Sequence, residues 1–175
     1  MAKSSKKQIY EDELKVIDVL QKNAKENIDI IAKNCGFSRQ KVWRTIKELE
    51  KNKTIWGYAA VVNEEKQGLK RYMILIKRTT LPLDEKLADK IASRQLENSA
   101  AKIDIKIESS MFTHGTFDWV ICFKAKDMMH AKKFSEIINK TYWGYIGEAH
   151  MIEALFPIRI QGILNPEIQK LKEFL

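Results

Sequence analysis

The sequence predicts an α+β protein with an N-terminal helix-turn-helix domain and a C-terminal βαββαβ domain of the ferredoxin-like (αβ-sandwich) type. Apolar residues recur with helical spacing in the first third, whereas short β-prone runs alternate with two helical stretches in the rest. The basic excess is also uneven, because residues 1–60 carry 13 Lys/Arg against 8 Asp/Glu in a chain of net charge +8. A cationic first third indicates either a polyanionic partner, nucleic acid rather than lipid, or a Lys-rich solvated surface, and charge alone does not separate the two.

The length of 175 residues accommodates two small domains. We expect a helix-turn-helix DNA-binding domain at 1–53, a linker strand at 54–66, a ferredoxin-like domain at 67–157 and a tail with a short helix at 158–175. No apolar run approaches the ~18 residues of a membrane-spanning helix, and no secretory signal is visible. With two widely separated cysteines, the chain is expected to be cytoplasmic and to make no membrane contact.

The first domain is predicted to contain three helices. After a frayed basic arm at 1–10, residues 11–24 form a helix with Leu14, Ile17 and Leu20 on one face. A second, short helix covers 27–34 and is capped by Asn27.

The third helix is the predicted recognition helix. Gly36 permits a tight turn with a left-handed backbone, and Ser38 caps a helix over 38–53. Val42, Ile46 and Leu49 form its apolar stripe, spaced by four and three. Two short helices joined by a turn, the second of them basic, indicate a helix-turn-helix unit that enters the major groove of double-stranded DNA.

The candidate DNA-binding residues lie on this helix: Ser38, Arg39, Gln40, Lys41, Arg44 and Lys47. We expect Arg39, Gln40 and Lys41 to face base edges, and Arg44 and Lys47 to contact phosphates. Trp43 has two interpretations. It stacks on the DNA backbone, or it belongs to the core, the commoner place for a Trp beside an apolar stripe.

The second domain is predicted as four strands and two helices. The strands are 71–77, buried on both faces, then 102–109, 116–124 and 147–155, and the helices are 83–100 and 127–140. Strict alternation of Ile103, Ile105 and Ile107 with polar residues indicates a half-exposed strand. Two helices on one side leave the other sheet face free, which favours a dimer surface there.

These features together resemble the Lrp/AsnC family of transcription regulators. The match covers nearly the whole chain and comprises Ile31-Ala32, Gly36, Ser38, Arg44, Leu49-Glu50, Ile55, Gly57, Tyr58 and the Gly-x-aromatic-Asp signature at Gly115–Asp118. The chain departs from the family at Lys53, where Gly is usual, and Asn52 is expected to take the left-handed cap instead.

The resemblance implies a sequence-specific DNA-binding transcription regulator and not an enzyme. It implies homodimers through the C-terminal sheets, four of which often form an octamer. It also implies, in many members, a small effector such as an amino acid near the signature, so Gly115, Phe117 and Asp118 are the candidate effector-binding residues. From the residues alone, Asp118 either holds an amino group or is an exposed strand residue.

Two alternatives remain open. Sirohaem decarboxylases resemble this family in fold, and His114 is the one suggestive residue. The chain is otherwise an effector-sensing assembly module that does not read DNA. The spacing of Cys122, His130 and His150 matches no standard zinc pattern, so no metal and no cofactor are expected. The high Lys and Ile content points to a thermophilic or archaeal source.

Overall fold

The computed structural model describes residues 5–174, which form two compact units. The first unit comprises Met1–Val61 and Arg159–Pro166, and the second comprises Val62–Ile158 and Glu167–Leu175. The first four residues of the predicted basic arm lie outside the described part. Among the described helices, none is both long and apolar enough to cross a membrane.

The first unit contains three helices, α1 (Lys6–Lys22), α2 (Ile28–Cys35) and α3 (Arg39–Lys51). Helix α1 begins five residues earlier than predicted, because the Ser5 hydroxyl accepts a hydrogen bond from the Gln8 amide at 3.2 Å and caps the helix. Residues 6–10 are therefore helical and not a frayed arm.

The core of the first unit is formed by Val16, Leu20, Ile31, Ala32, Cys35, Val42 and Leu49. Leu14, predicted to be buried, is 45% exposed. The buried face of α1 instead follows a spacing of four through Asp12, Val16 and Leu20. A carboxylate at a buried position requires a charged or hydrogen-bonding partner.

The segment after α3 differs from the prediction in two ways. Lys53, not Asn52, takes the left-handed backbone with φ 61°, while the Asn52 side chain accepts a hydrogen bond from the Thr54 amide at 3.1 Å. The predicted linker strand is also wrong. No strand occurs within 54–66, because none of the strands found in residues 5–174 pairs with it. A short hairpin, β5 (Arg159–Ile160) and β6 (Ile163–Leu164), completes the first unit.

The second unit is one antiparallel sheet with helices on one face. Its strands are β1 (Lys70–Arg78), β2 (Lys106–Phe112), β3 (Trp119–Ala125) and β4 (Ile146–Glu153), in the order β2-β3-β1-β4. Its helices are α4 (Glu85–Ala92), α5 (Gln95–Ala101) and α6 (Met128–Thr141), and a 3-10 helix (Ile168–Phe174) forms the predicted short helix of the tail. The chain order is βαββαβ with the first helix split, so the predicted ferredoxin-like class is confirmed.

The core of the second unit lies between the sheet and the helices. Tyr72 stacks on Phe123 at 5.6 Å between ring centroids, and Phe123 meets Phe134 of α6 edge to face at 4.8 Å. Strand β1 is fully buried only on this side, through Tyr72, Ile74 and Ile76, so the prediction that both of its faces are buried is wrong. Among residues 5–174, none of the three helices α4, α5 and α6 packs on the other face of the sheet.

Two predicted boundaries in the second unit are corrected. The predicted helix 83–100 is interrupted at Arg94, which has a left-handed backbone with φ 55°. Strand β2 begins at Lys106 and not at 102, because Ile103 and Ile105 lie in the turn that follows α5. The strand also runs on to Phe112, three residues beyond the predicted end at 109, because these residues pair with β3.

Candidate nucleic-acid interface

The turn between α2 and α3 positions the candidate recognition helix. Gly36 ends α2 with φ 69°, and the amide of Phe37 donates to the Ala32 carbonyl at 2.9 Å. The Ser38 hydroxyl then accepts a hydrogen bond from the Lys41 amide at 3.2 Å, which caps α3 as predicted. These local contacts fix where the recognition helix begins and how it leaves the turn.

The helical period separates an inward from an outward side of α3. Val42 and Leu49 are buried, at 0% and 1% exposed. At 3.6 residues per turn, the positions on the opposite side follow a spacing of four, three and four. We call these exposed residues the outward stripe: Gln40, Arg44, Lys47 and Lys51. The stripe is therefore free of core contacts and accessible to a groove of DNA.

Charges on the outward stripe are only lightly neutralised. Lys47 forms an ion pair with Glu50 at 2.9 Å, which lowers the pKa of that carboxyl. Within residues 5–174, Arg44 and Lys51 form no ion pair and no side-chain hydrogen bond, and Gln40 likewise has no side-chain partner. The stripe thus offers the groups that contact DNA: an amide that can donate and accept hydrogen bonds, and cations without a partner.

Lys41, predicted to face base edges, is engaged inside the domain. Its ammonium lies 2.5 Å from an Asp12 carboxylate oxygen and 3.8 Å from the centroid of the Phe37 ring. The hydrogen bond from Lys41 lowers the pKa of Asp12, whose side chain is only 9% exposed. Lys41 therefore joins α3 to α1, and a contact with DNA would first require the release of this pair.

Arg39 and Trp43 flank the outward stripe. The Arg39 guanidinium pairs with Asp29 of α2 at 2.9 Å, which ties this cation to the neighbouring helix. Trp43 is 56% exposed and does not belong to the core cluster, so the core interpretation of this residue is wrong. An exposed indole on a recognition helix provides a flat apolar surface beside the charged stripe.

The candidate effector residues lie in the turn between β2 and β3. Asp118 has a structural partner, because one carboxylate oxygen accepts the Arg78 amide at 2.8 Å and the other lies 3.5 Å from the Arg78 guanidinium. The hydrogen bond from the Arg78 amide lowers the pKa of Asp118. Gly115 has φ 150°, and a Cβ there would meet nothing within 4 Å. The space beside Gly115 is therefore empty, whereas the carboxylate of Asp118 is already paired with Arg78.

A polar cluster beside this turn was not predicted from the sequence. The Phe117 ring meets the His150 ring edge to face at 5.6 Å, and His150 lies 3.2 Å from Glu148. Lys77 in turn lies 3.6 Å from Glu148. The antiparallel pairing of β1 with β4 brings these residues together, and only knowledge of that register could have revealed the cluster.

The three residues weighed as metal ligands lie apart. Cys122 is on β3 and His150 is on β4, while His130 on α6 bonds to Asp127 at 2.7 Å. In the part of the chain that the structure describes, no three His, Cys, Asp or Glu side chains are grouped so that they could hold a metal ion. His114, the residue considered for haem chemistry, lies on the exposed turn before Gly115.

Comparison with known proteins agrees with this architecture. Residues 13–55 match the winged helix-turn-helix DNA-binding family. No curated protein matches the chain. Many solved structures share its fold, among them the following three.

An AsnC family transcriptional regulator from Agrobacterium tumefaciens is 15% identical, with a TM-score of 0.62 and coverage of 89% of this chain and 96% of that chain. The leucine response regulatory protein of Mycobacterium tuberculosis is 20% identical, with a TM-score of 0.62 and coverage of 86% and 94%. The L-methionine complex of a transcriptional regulator from Neisseria meningitidis is 18% identical, with a TM-score of 0.60 and coverage of 90% and 94%. The predicted resemblance is confirmed, since residues 13–55 match the winged helix-turn-helix DNA-binding family and the chain has the fold of solved Lrp/AsnC transcription regulators.

Proposed function

We propose that this protein is a sequence-specific DNA-binding transcription regulator that acts as a homodimer. The observation that carries the proposal is the outward stripe of α3, which presents one amide and three cations opposite the buried side of a capped helix. The three solved structures compared above are regulators, which agrees with a binding role and not an enzymatic one. A chromosomal target would place the protein in the cytoplasm.

The chemistry of the stripe divides its members between two tasks. Gln40, near the start of the helix, has an amide that can pair with both edge groups of adenine in the major groove. Arg44 is one turn further, and its guanidinium can take a guanine edge or a phosphate. Lys47 and Lys51 are compact charges that suit phosphates. Of the other predicted contacts, Ser38 and Arg39 remain candidates at the edge of the groove.

Substitutions on the stripe test this function. Arg44→Ala and Lys51→Ala are each expected to weaken binding to a duplex selected from random sequence, because each removes a cation that has no partner in the described structure. If both contact phosphates, each should make the slope of log K against log salt shallower by about 0.9. Lys133→Ala, an exposed Lys of α6, is the matched control and should leave both quantities unchanged.

Two results of these DNA-binding measurements would contradict the proposed function. If the unmodified protein shows no salt-dependent binding to any duplex, or if the control variant loses as much affinity as Arg44→Ala, the stripe is not the DNA-binding surface. An assembly module without DNA reading would give the first of these results. Fluorescence anisotropy at several salt concentrations measures both affinity and slope.

The face of the sheet without helices supports the dimer. We call it the open sheet face, with Met73, Leu75, Val120, Cys122 and Ile152 at its centre. Ile152 is 40% exposed, and a second copy would cover this apolar area. Two helix-turn-helix units linked in a dimer then bind two DNA half-sites with higher affinity than one unit binds one half-site. Leu75→Glu should give a monomer by light scattering, and a dimer that persists would place the interface elsewhere.

The turn between β2 and β3 supports an amino-acid effector. Two solved structures that share the fold are complexes of other proteins with L-methionine. In this chain Gly115 leaves the turn open and Phe117 offers an apolar contact, while Asp118 is already held by Arg78. We therefore infer that Gly115 and Phe117 contact the effector and that Asp118 shapes the turn.

Calorimetry with each of the common amino acids, starting with L-methionine, tests the effector. Phe117→Ala should abolish any binding that the unmodified protein shows, because it removes the apolar contact. The absence of heat with every amino acid would contradict an amino-acid effector and leave the DNA-binding proposal untouched.

A further inference from the structure

An exposed tryptophan lies beside the outward stripe of α3. Trp43 is three residues after Gln40 and four before Lys47, so its side chain neighbours both on the helix surface. It is 56% exposed and is not among the residues that pack on the core of the first unit. An indole is therefore within reach of any surface that the stripe contacts.

The fold does not use this indole as it uses a core tryptophan. Trp119 is 5% exposed, its indole N–H donates to the Ser110 hydroxyl at 2.9 Å, and its ring stacks on Phe112. Within residues 5–174, the indole N–H of Trp43 has no hydrogen-bond acceptor and its ring has no aromatic partner. Both the ring and the donor of Trp43 thus remain available to a ligand.

The two groups of an indole match one base edge in the major groove. Tryptophan has an apolar ring and a single N–H donor, and it has no acceptor. Adenine and cytosine each present an amino donor there, for which an indole has no acceptor, and guanine presents two acceptors without an apolar group. Thymine alone presents a methyl group next to an acceptor oxygen, O4. Among the four bases, thymine is therefore the complement of this side chain.

The position of Trp43 along the helix favours a contact with a base over one with the backbone. It is the fifth residue of α3, and the N-terminal part of a recognition helix is the part whose side chains reach base edges. We propose that Trp43 packs on the methyl group of one thymine in each half-site and so helps to determine which sequence the protein selects. This inference rests on the proposed DNA-binding function.

Deoxyuridine in place of thymidine isolates the methyl group, since the two bases differ only there and both pair with adenine. A duplex selected from random sequence by the unmodified protein is synthesised again with deoxyuridine at one thymine position at a time in one half-site. Fluorescence anisotropy then gives the affinity for each duplex. We expect one position at which the loss of the methyl group weakens binding about fourfold, the factor that corresponds to burial of one methyl group.

Two variants assign the methyl contact to Trp43. Trp43→Ala should bind the thymine duplex more weakly than the unmodified protein does, and should bind the thymine and deoxyuridine duplexes equally well. Trp143→Ala, which removes an 84% exposed tryptophan of the second unit, is the matched control and should keep the full difference between the two duplexes.

Hydrogen exchange of the Val42 amide separates a lost contact from a lost fold. This amide donates to the Ser38 carbonyl at 3.1 Å within α3. Because Trp43 lies outside the core of the first unit, the exchange rate of the Val42 amide should be the same in Trp43→Ala and in the unmodified protein.

The inference can fail while the proposed function stands. If Trp43→Ala weakens binding to the thymine and deoxyuridine duplexes by the same factor, the indole contacts the sugar-phosphate backbone and the inference is overturned. It is also overturned if the unmodified protein binds its selected duplex but is insensitive to the loss of every thymine methyl group. If the unmodified protein binds no duplex at all, the proposed function is overturned and the inference falls with it.

Discussion

Removal of the Asp12 charge should destabilise the helix-turn-helix unit. Asp12 lies on the buried side of α1, and its carboxylate accepts hydrogen bonds from Lys41 at 2.5 Å and from Gln8 at 3.2 Å. Asp12→Asn keeps the shape of the side chain and removes the charge. The ammonium of Lys41 then loses its counter-ion while it still lies over Phe37, at 3.8 Å from the ring centroid.

The size of the effect follows from the unequal burial of the pair. Exposed ion pairs contribute about 0.2–1 kcal/mol, whereas breaking a fully buried pair costs about 3–5 kcal/mol. The Asp12 side chain is 9% exposed but that of Lys41 is 39% exposed, so the ammonium can regain water. We therefore expect Asp12→Asn to reduce the free energy of unfolding of the first unit by about 1–3 kcal/mol.

Amide hydrogen exchange measures this change without interference from the second unit. The amide of Val42 donates to the Ser38 carbonyl at 3.1 Å in the core of the first unit. Its opening free energy reports on that unit, whereas a single melting temperature would mix two units. The amide of Ile74 in β1 is the internal control, and its exchange should not change.

The pH dependence of the effect has a definite sign. Because the hydrogen bond from Lys41 depresses the pKa of Asp12, the stabilisation is complete above the ordinary carboxyl pKa of ~3.9 and is lost as the pH falls through the depressed value. The difference between the unmodified protein and Asp12→Asn should therefore be constant from pH 7 to about pH 4 and shrink below it.

The competing view is that Lys41 serves mainly to bind DNA. In that case Lys41→Met would leave Val42 exchange unchanged and reduce DNA affinity as strongly as Arg44→Ala. If Lys41 mainly holds Asp12, Lys41→Met should instead reduce the stability of the first unit, and its effect should not add to that of Asp12→Asn in the double variant. Strict additivity of the two substitutions would refute the pair as an interaction.

Two further predictions concern the backbone. Lys53→Gly should stabilise the first unit by about 0.5–1 kcal/mol, because Lys53 has φ 61° and Gly adopts this conformation without strain. Faster hydrogen exchange of the Val42 amide in this variant would contradict the prediction. Asp118→Asn should speed hydrogen exchange of the Arg78 amide at neutral pH, because that amide donates to the Asp118 carboxylate. The pKa of Asp118 is lowered, so the difference between the two proteins should vanish only when acid protonates this carboxyl in the unmodified protein. Unchanged exchange of the Arg78 amide at pH 7 would show that Asp118 does not hold β1.

Local signals predicted the parts of the fold that depend on local chemistry. Asn27 and Ser38 cap their helices as expected. Each side-chain oxygen accepts a hydrogen bond from a backbone amide two or three residues later, and this contact does not depend on any distant segment of the chain. Gly36 is left-handed for the same local reason. The predicted helix 127–140 is likewise found as α6, with Ala131, Phe134 and Ile138 buried at helical spacing.

Pairing between distant segments was not predictable in the same way. The alternation of Ile103, Ile105 and Ile107 favours a strand from 102, but β2 extends only where β3 can pair, as far as Phe112 stacked on Trp119. Arg94 interrupts a helix without Gly or Pro to mark the position. Both features depend on how the second unit packs, which periodicity does not encode.

The candidate site shows the same division between local and distant causes. Within 38–53 the sequence offers a run of basic residues that looks uniform, yet two of them are tied to other helices, Arg39 to α2 and Lys41 to α1. Those ion pairs fix the helix in its domain and must be broken before either cation can serve DNA. Arg44 and Lys51 lie on the outward stripe, and in the described structure neither has an ion pair that DNA would have to break. The helical period, and not the number of positive charges, therefore determines which residues of α3 remain available to read and hold DNA.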